Sequence, residues 1–183
     1  MVQPIGPLMI EHRLIERMIA VMKTETERMK SEKNVDLRFI DSAVDFIKIY
    51  ADRCHHGKEE KILFRELKKK ELREEDKRVM EELIQEHIWG RQTTGKLLDA
   101  RRQYASGNEA ALITIIDLLK QLVEFYPKHI EKEDKNFFKA AMKYLNKKEQ
   151  DAILREEHEF DRGFIHLVYQ DIVHQAETSL TGK

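Results

Sequence analysis

The sequence contains little of what disulfide-bonded, β-sheet or membrane-spanning proteins require. Its 183 residues include a single cysteine, Cys54, which excludes an intrachain disulfide and a zinc site built from cysteines. Seven glycines and three prolines provide few turns for a β-sheet protein. No apolar run approaches the ~18–20 residues of a membrane span, and the N-terminus lacks the basic and apolar stretches of a signal peptide. We therefore expect a helical protein in a reducing, cytoplasmic environment, with no membrane partner.

An excess of charge of one sign is also missing. The 33 basic and 34 acidic side chains are interspersed, and the formal net charge is −1. This balance argues against a face dedicated to nucleic acid, so no nucleic-acid partner is expected. Charged residues make up 37% of the chain, a proportion that suits long helices with solvated outer faces.

Apolar residues recur at helical spacing in five segments of the chain. The predicted helices cover residues 8 to about 30, 36–69, 74–104, 109–144 and 146 onwards. Long amphipathic helices with short connections predict an all-α fold, in which residues 1–145 form an antiparallel, up-down four-helix bundle. Residues 146–183 are predicted to form an additional C-terminal helix that packs on an open side of the bundle or contacts a partner, such as a second copy of the chain.

Individual residues predict where these helices begin or bend. Asp36 is expected to cap the second helix. Asn146 is expected to cap the fifth, with Glu149 at the reciprocal position of a capping box. Pro127 is expected to kink the fourth helix just before His129.

Two segments, 55–64 and 129–138, carry nearly the same ten residues, 74 positions apart. Five positions are identical, namely His55/His129, Lys58/Lys132, Glu59/Glu133, Lys61/Lys135 and Phe64/Phe138. In each segment a histidine precedes a glutamate by four residues, which on a helix brings both side chains to one face, about 40° apart. Two such helices facing each other would provide a compact cage of nitrogen and oxygen ligands.

Each of the four bundle helices also carries a histidine on its apolar stripe: His12, His55, His87 and His129. Burying four histidines without strong partners would cost several kcal/mol. A metal provides such partners; the alternative is a buried polar network. Imidazole with carboxylate suits iron, manganese or zinc rather than calcium or magnesium. The number of candidate ligands exceeds what one tetrahedral zinc needs and fits two metals bridged by carboxylates.

This pattern resembles the hemerythrin family, including the hemerythrin-like cation-binding domains. The family motif is a lone His, then His-x-x-x-Glu, then His-x-x-x-His, then His-x-x-x-x-Asp, with one element per helix. The first, second and fourth elements match here, as His12, His55 with Glu59, and His129 with Asp134. The resemblance covers about residues 8–140 and implies an antiparallel four-helix bundle with a non-haem di-iron centre.

The third element departs from the family pattern. Arg91 stands four residues after His87, where the oxygen carriers have a second histidine, and a guanidinium that stays protonated cannot bind a metal. Arg91 is instead expected in a salt bridge at the rim of the site. The candidates to fill the gap are, in order of preference, Glu133, His158 and His56, with Asp134 and Glu60 as neighbouring carboxylates.

Three further interpretations concern the surroundings of the site. Glu16, four residues after His12, is a candidate to accept a hydrogen bond from that histidine or to face solvent. Gly57 is expected to allow close packing beside the metal. His166 and His174 are expected at the surface.

The family resemblance implies a metal protein whose task stays open. The first hypothesis is an intracellular protein with two iron ions, or with zinc or manganese, that binds or senses oxygen, nitric oxide or peroxide. Replacing a histidine by a carboxylate would favour the ferric state and weaken the case for oxygen carriage. The alternatives are an enzyme that removes peroxide or nitric oxide, and a metal-stabilised interaction module whose fifth helix docks a partner.

Overall fold

The computed structural model describes the backbone of residues 3–181 and the side chains of residues 3–164 and of Val168. These residues form helices with short connections and contain no β-strand, which confirms the predicted all-α class. The helices are α1 (Ile5–Glu32), α2 (37–67), α3 (Glu74–Ala105), α4 (111–141) and α5 (Lys147–Thr181). None of them is both long and apolar enough, within the described residues, to cross a bilayer.

The helices pack as a bundle. α4 lies against both α1 and α3, α2 lies against α3, and α5 lies on α2. The helix boundaries agree with the predicted ones to within a few residues, and the antiparallel, up-down order stays a prediction. The predicted surface histidines, His166 and His174, lie outside the described side chains.

Two helices leave α-helical geometry where they carry the repeated segments. π-helical turns, in which the hydrogen bonds span five residues instead of four, occupy Phe46–His56 and Glu59–Leu63 of α2 and Lys132–Phe137 of α4. The wider turn reduces the angle between successive side chains, so neighbours in sequence can face the same interior. The sequence analysis did not predict these turns.

The predicted helix starts are confirmed by their hydrogen bonds. The Asp36 carboxylate accepts from the backbone N–H groups of Arg38 and Phe39 at 3.0 and 3.1 Å. Asn146 and Glu149 form the reciprocal capping box, with distances of 2.9 and 3.0 Å.

The kink predicted at Pro127 stays a prediction. The α-helix continues past it to Glu131. The change to π-helical hydrogen bonding begins at Lys132, after His129 rather than before it.

The core consists of two apolar clusters with a buried polar layer between them. Along α1, Leu8 belongs to one cluster and Ile15 to the other, and buried His12 lies between them. Along α3, His87 lies in the same way between Leu83 and Leu97. The apolar residues thus hold the helices together above and below the layer that contains the histidines.

α5 lies directly on the π-helical part of α2. A Cβ atom at Gly57 would come within 3.2 Å of Phe160 Cζ, so glycine permits the close approach of the two helices. Glu156 of α5 binds the Arg65 guanidinium through two bonds of 2.8 and 2.7 Å, and Ile153 is buried in the same apolar cluster as Leu8. Gly57 therefore allows close packing, as predicted, but against α5.

Glu157 is buried at this contact without a hydrogen-bond partner among the described residues. Burial raises its pKa to about 8, against the lowering effect of the Lys58 ammonium, while Glu11 and Asp161 raise it further. A carboxyl whose pKa is raised on folding destabilises the native state as the pH rises from its ordinary value of 4.5 to about 8.

We expect Glu157→Gln to remove this penalty. Its free energy of unfolding should exceed that of the unmodified protein by on the order of a few kcal/mol above pH 8, and the difference should shrink steadily toward pH 5. Urea unfolding at several pH values measures this, with exposed Glu159→Gln as the control. A difference that does not change with pH would contradict the assignment.

Candidate metal centre

Five buried histidines and two buried glutamates meet in the polar layer. The ligand atoms of His12, His55, Glu59 and Glu133 lie within 4.8 Å of one another, and so do those of His56, His87 and His129. We call these the two-histidine group and the three-histidine group. All seven side chains belong to residues that are at most 2% exposed.

The Glu59 carboxylate lies between the histidines of the two groups. Its Oε1 is 3.7 Å from His55 Nε2, and its Oε2 is 3.4 Å from His87 Nε2. The carboxylate therefore directs one oxygen toward the histidines of each group.

Glu133 repeats this arrangement from α4. Its Oε2 is 3.1 Å from His12 Nε2, while its Oε1 is 3.4 Å from His129 Nε2 and 3.7 Å from His87 Nε2. Two carboxylates thus span the space between the two sets of ring nitrogens, which is the arrangement that bridging ligands of two metal ions require.

The inward-facing atoms lack hydrogen-bond partners among the described residues. They are the Nε2 atoms of His12, His55, His87 and His129 and both carboxylate oxygens of Glu59 and Glu133. An unsatisfied buried polar group costs about 1–3 kcal/mol. Converging lone pairs of nitrogen and oxygen are what a cation needs, so these residues fit a pair of metal ions.

A carboxylate on the outer side fixes the orientation of each histidine. Nδ1 lies 2.7 to 3.4 Å from its acceptor in the pairs His12–Asp134, His55–Glu11, His56–Asp52, His87–Glu60 and His129–Glu86. A donating Nδ1–H leaves the lone pair on Nε2, directed to the interior. Metal-binding histidines are commonly held in this way.

These contacts extend the internal repeat beyond the two similar segments. Glu11 accepts from Lys58 as well as from His55, and Glu86 accepts from Lys132 as well as from His129. Glu11 and Glu86 were not among the predicted site residues. The available signal was the Glu-His pair at 11–12, which recurs at 86–87 with almost the same offset as the segments themselves.

The pKa values of the two inward-facing glutamates shift in opposite directions. Burial raises the pKa of Glu59, and the nearby Glu133 raises it further. Burial also acts to raise the pKa of Glu133, but His129, His12 and His87 outweigh it, and the pKa is lowered. Two adjacent buried carboxylates therefore favour one proton between them, or a cation.

The pKa values of His55 and His12 also shift in opposite directions. Burial lowers the pKa of His55 to about 4, so this ring is neutral near pH 7. Burial also acts to lower the pKa of His12, but the Asp134 carboxylate at Nδ1 and the Glu133 carboxylate near Nε2 raise it to about 10. A bound cation would replace the proton that His12 otherwise holds between two carboxylates.

Three of the predicted ligands are not in either group. Asp134 follows His129 by five residues, about 140° around an α-helix, and contacts His12 Nδ1 and Arg13 on the outer side. Glu60 follows His55 by five residues and accepts in the same way from His87 Nδ1. His158 is exposed, because its neighbour Glu157 occupies the inner face of α5. None of the three therefore belongs to the inward-facing groups, and the assignment of each as a ligand stays a prediction.

His56, the last-ranked candidate for the gap beside Arg91, is the residue that joins His87 and His129. In an α-helix it would point about 100° away from His55. It ends a π-helical stretch instead, and both histidines face the interior. Glu133 also faces inward, as the repeat predicted. It lies between the histidines of the two groups rather than in the gap beside Arg91.

Arg91 lies at the rim in the predicted salt bridges, 2.7 Å from both Asp52 and Glu60. It also borders a cavity of about 110 Å³ between α2 and α3, whose wall includes His56, Gly90, Thr94 and Tyr126. The predicted acceptor Glu16 instead forms a salt bridge with Arg13 at 3.2 Å. The carboxylate that accepts from His12 Nδ1 is Asp134.

A third set of potential ligand atoms, in Glu11, Cys54 and Asp161, is already neutralised. The Lys58 ammonium binds both Glu11 and Asp161. Burial raises the pKa of the Cys54 thiol to about 12, so it stays protonated. This set therefore resembles an ion cluster around the buried Lys58 ammonium rather than a metal site.

Comparison with known proteins agrees with this geometry. No curated protein and no solved structure matches the chain. A family model, described as the hemerythrin HHE cation binding domain, matches residues 3–141. The matched span contains α1 to α4 and all seven inward-facing residues, and it ends before α5 begins at Lys147. The chain therefore belongs to the hemerythrin HHE cation-binding family.

Proposed function

We propose that the chain is a non-haem di-iron protein that binds or senses oxygen, nitric oxide or peroxide. His12 and His55 would hold one ion, the three-histidine group would hold the other, and Glu59 and Glu133 would bridge them. The observation that carries this proposal is the convergence of unpartnered Nε2 and carboxylate atoms, each imidazole being anchored from outside by a carboxylate.

The donor set supports iron but also accommodates zinc or manganese. Imidazole and carboxylate ligands without thiolate suit all three metals. Zinc commonly completes its coordination with four ligands, whereas two groups joined by shared carboxylates suit a pair of redox-active ions. Iron would supply reversible electron transfer to a small oxygen- or nitrogen-containing ligand.

The dimensions of the cavity beside His56 support a small ligand. Its volume of about 110 Å³ accommodates a diatomic molecule, peroxide or several waters, since a cavity needs only about 10–15 Å³ on this measure to hold one water. Pockets for drug-sized ligands measure about 300–1,000 Å³. A large organic substrate is therefore a poor match for this cavity.

The place of His56 changes one argument about the task of the protein. A carboxylate in the gap beside Arg91 would have favoured the ferric state. With His56 in the three-histidine group, five imidazoles surround the two carboxylates. The objection to reversible oxygen binding that rested on a lost nitrogen ligand no longer applies.

Two alternatives differ from the proposal in what they would do with a bound ion. An enzyme would consume peroxide or nitric oxide at rates proportional to the iron content. A metal-stabilised interaction module would behave identically with zinc in place of iron. The single cysteine fits a reducing environment, and a cytoplasmic location is part of the proposal.

Anaerobic purification followed by metal analysis tests the proposal directly. We expect two iron ions per chain, and addition of oxygen should produce the near-ultraviolet and visible absorption of two bridged ferric ions. Nitric oxide and peroxide should each change that spectrum. A folded protein that takes up no iron after supplementation would exclude the proposal.

His56→Ile tests the assignment of the three-histidine group, because Ile130 stands at the matching position of the repeat. We expect the metal content to fall from two ions to about one, since this group would lose one of its three nitrogens. Metal analysis after dialysis measures the change. His158→Ala is the matched control and should retain two ions.

A second substitution tests whether His56 occupies the role that the family gives to the position of Arg91. Adding Arg91→His to the His56→Ile variant should restore part of the lost metal. Unchanged metal content in the single variant would contradict the assignment, as would an equal loss in His158→Ala.

A further inference from the structure

α5 lies beyond the end of the matched domain, and yet it reaches the metal centre through a chain of contacts. Asp161 of α5 accepts from Lys58 Nζ at 2.7 Å, and Lys58 also donates to Glu11. The second oxygen of Glu11 is 2.9 Å from His55 Nδ1. The sequence of contacts Asp161–Lys58–Glu11–His55 therefore connects the surface of α5 to the two-histidine group.

The repeat provides an internal comparison. Lys132, Glu86 and His129 form the matching contacts on the other half, with 2.8 Å between Glu86 Oε2 and His129 Nδ1. No helix in the described residues covers them. Lys132 is 27% exposed and has its second contact to Glu82 at 3.5 Å, and an open groove of about 470 Å³ lies beside it.

This difference makes the two lysines unequal. The Lys58 side chain is 0% exposed, so its ammonium depends on Glu11 and Asp161 for compensation. A buried charge that loses its partner is strongly destabilised, whereas an exposed one is solvated by water. Asp161 therefore fixes Lys58, and Lys58 fixes the Glu11 carboxylate against His55.

The outer partner of a metal-binding histidine sets both its orientation and its basicity, and its loss commonly weakens metal binding about 10–100-fold. Glu11 has this position for His55. A change in how α5 packs on α2 would act on Glu11 through Lys58. It would leave Glu86 and the three-histidine group unaffected.

We propose that Asp161 and Lys58 are positioning residues through which α5 sets the metal affinity of the two-histidine group. This rests on the proposed function only in that both groups bind a metal ion, and it requires neither iron nor a particular gas. The matching Lys132 does not have this role, because its side chain is partly exposed and no helix of the described residues covers it.

Titration of the metal-free full chain with cobalt(II), followed by absorption and calorimetry, tests the proposal. The unmodified protein should bind two ions. Lys58→Met and Asp161→Asn should each weaken the binding of one ion about tenfold or more and alter its visible spectrum, while the second ion binds as before. Lys132→Met, the matched control, should change neither ion by more than about threefold.

A double variant distinguishes a shared route from two separate effects. If Asp161 acts through Lys58, the combined Lys58→Met/Asp161→Asn variant should weaken binding no more than Lys58→Met alone. Asp161→Asn with Lys132→Met should instead show additive effects. Circular dichroism establishes folding, and the partly exposed Asp161 provides a test even if Lys58→Met does not fold.

The outcomes separate the two proposals. Two bound ions with equal effects of Lys58→Met and Lys132→Met would overturn the role of α5 and leave the metal centre standing. Two bound ions with no effect of Asp161→Asn would do the same. A folded unmodified protein that binds no cobalt and no iron would overturn the proposed function itself.

Discussion

The outward anchoring of the buried imidazoles is the constraint on which the rest of the structure depends. Because a carboxylate takes Nδ1 of each histidine, the Nε2 atoms converge on Glu59 and Glu133 in the interior. Such a concentration of buried polar atoms would be costly in an ordinary core. The two apolar clusters on either side keep the helices together around it. The fold thus stabilises a polar layer that a cation pair would in turn stabilise.

Much of this arrangement was predictable from periodicity and capping. The stripes of α1 and α2 are buried as expected, and the repeated His-x-x-x-Glu spacing correctly placed His55 near Glu59 and His129 near Glu133. His56 was among the predicted candidates, but spacing did not show that it faces inward, because an angle of about 100° per residue holds only for α-helices, and this histidine ends a π-helical stretch. Propensity and spacing contain no signal for that turn. Spacing also does not distinguish an inner from an outer carboxylate, so it does not separate Glu133 from Asp134 or Glu59 from Glu60.

The repeat explains why one set of contacts serves both halves of the centre. Each half consists of a Glu-His pair on one helix and a His-x-x-Lys-Glu-acid segment on the next, and the glutamate of the pair bonds to the histidine and lysine of the segment. The last acid of each segment contacts the histidine of the Glu-His pair in the other half. Glu60 contacts His87, and Asp134 contacts His12. A carboxylate from another helix therefore orients four of the histidines, His12, His55, His87 and His129, so their geometry and helix packing are set together. His56 instead contacts Asp52 of its own helix.

Three departures from the repeat make the halves unequal. His56 stands opposite Ile130 and adds an imidazole to the three-histidine group, and Arg91, which stands opposite Glu16, adds a guanidinium at the rim of that group. α5 covers Lys58, beside the two-histidine group, and leaves the matching Lys132 open. Two identical halves would bind two equivalent ions, with equal affinity and equal response to a ligand. If two ions bind as proposed, unequal nitrogen counts and unequal solvent access would give each position its own affinity. Because the helix that causes the second inequality lies outside the family domain, a change at its surface would then act on one ion without disturbing the other.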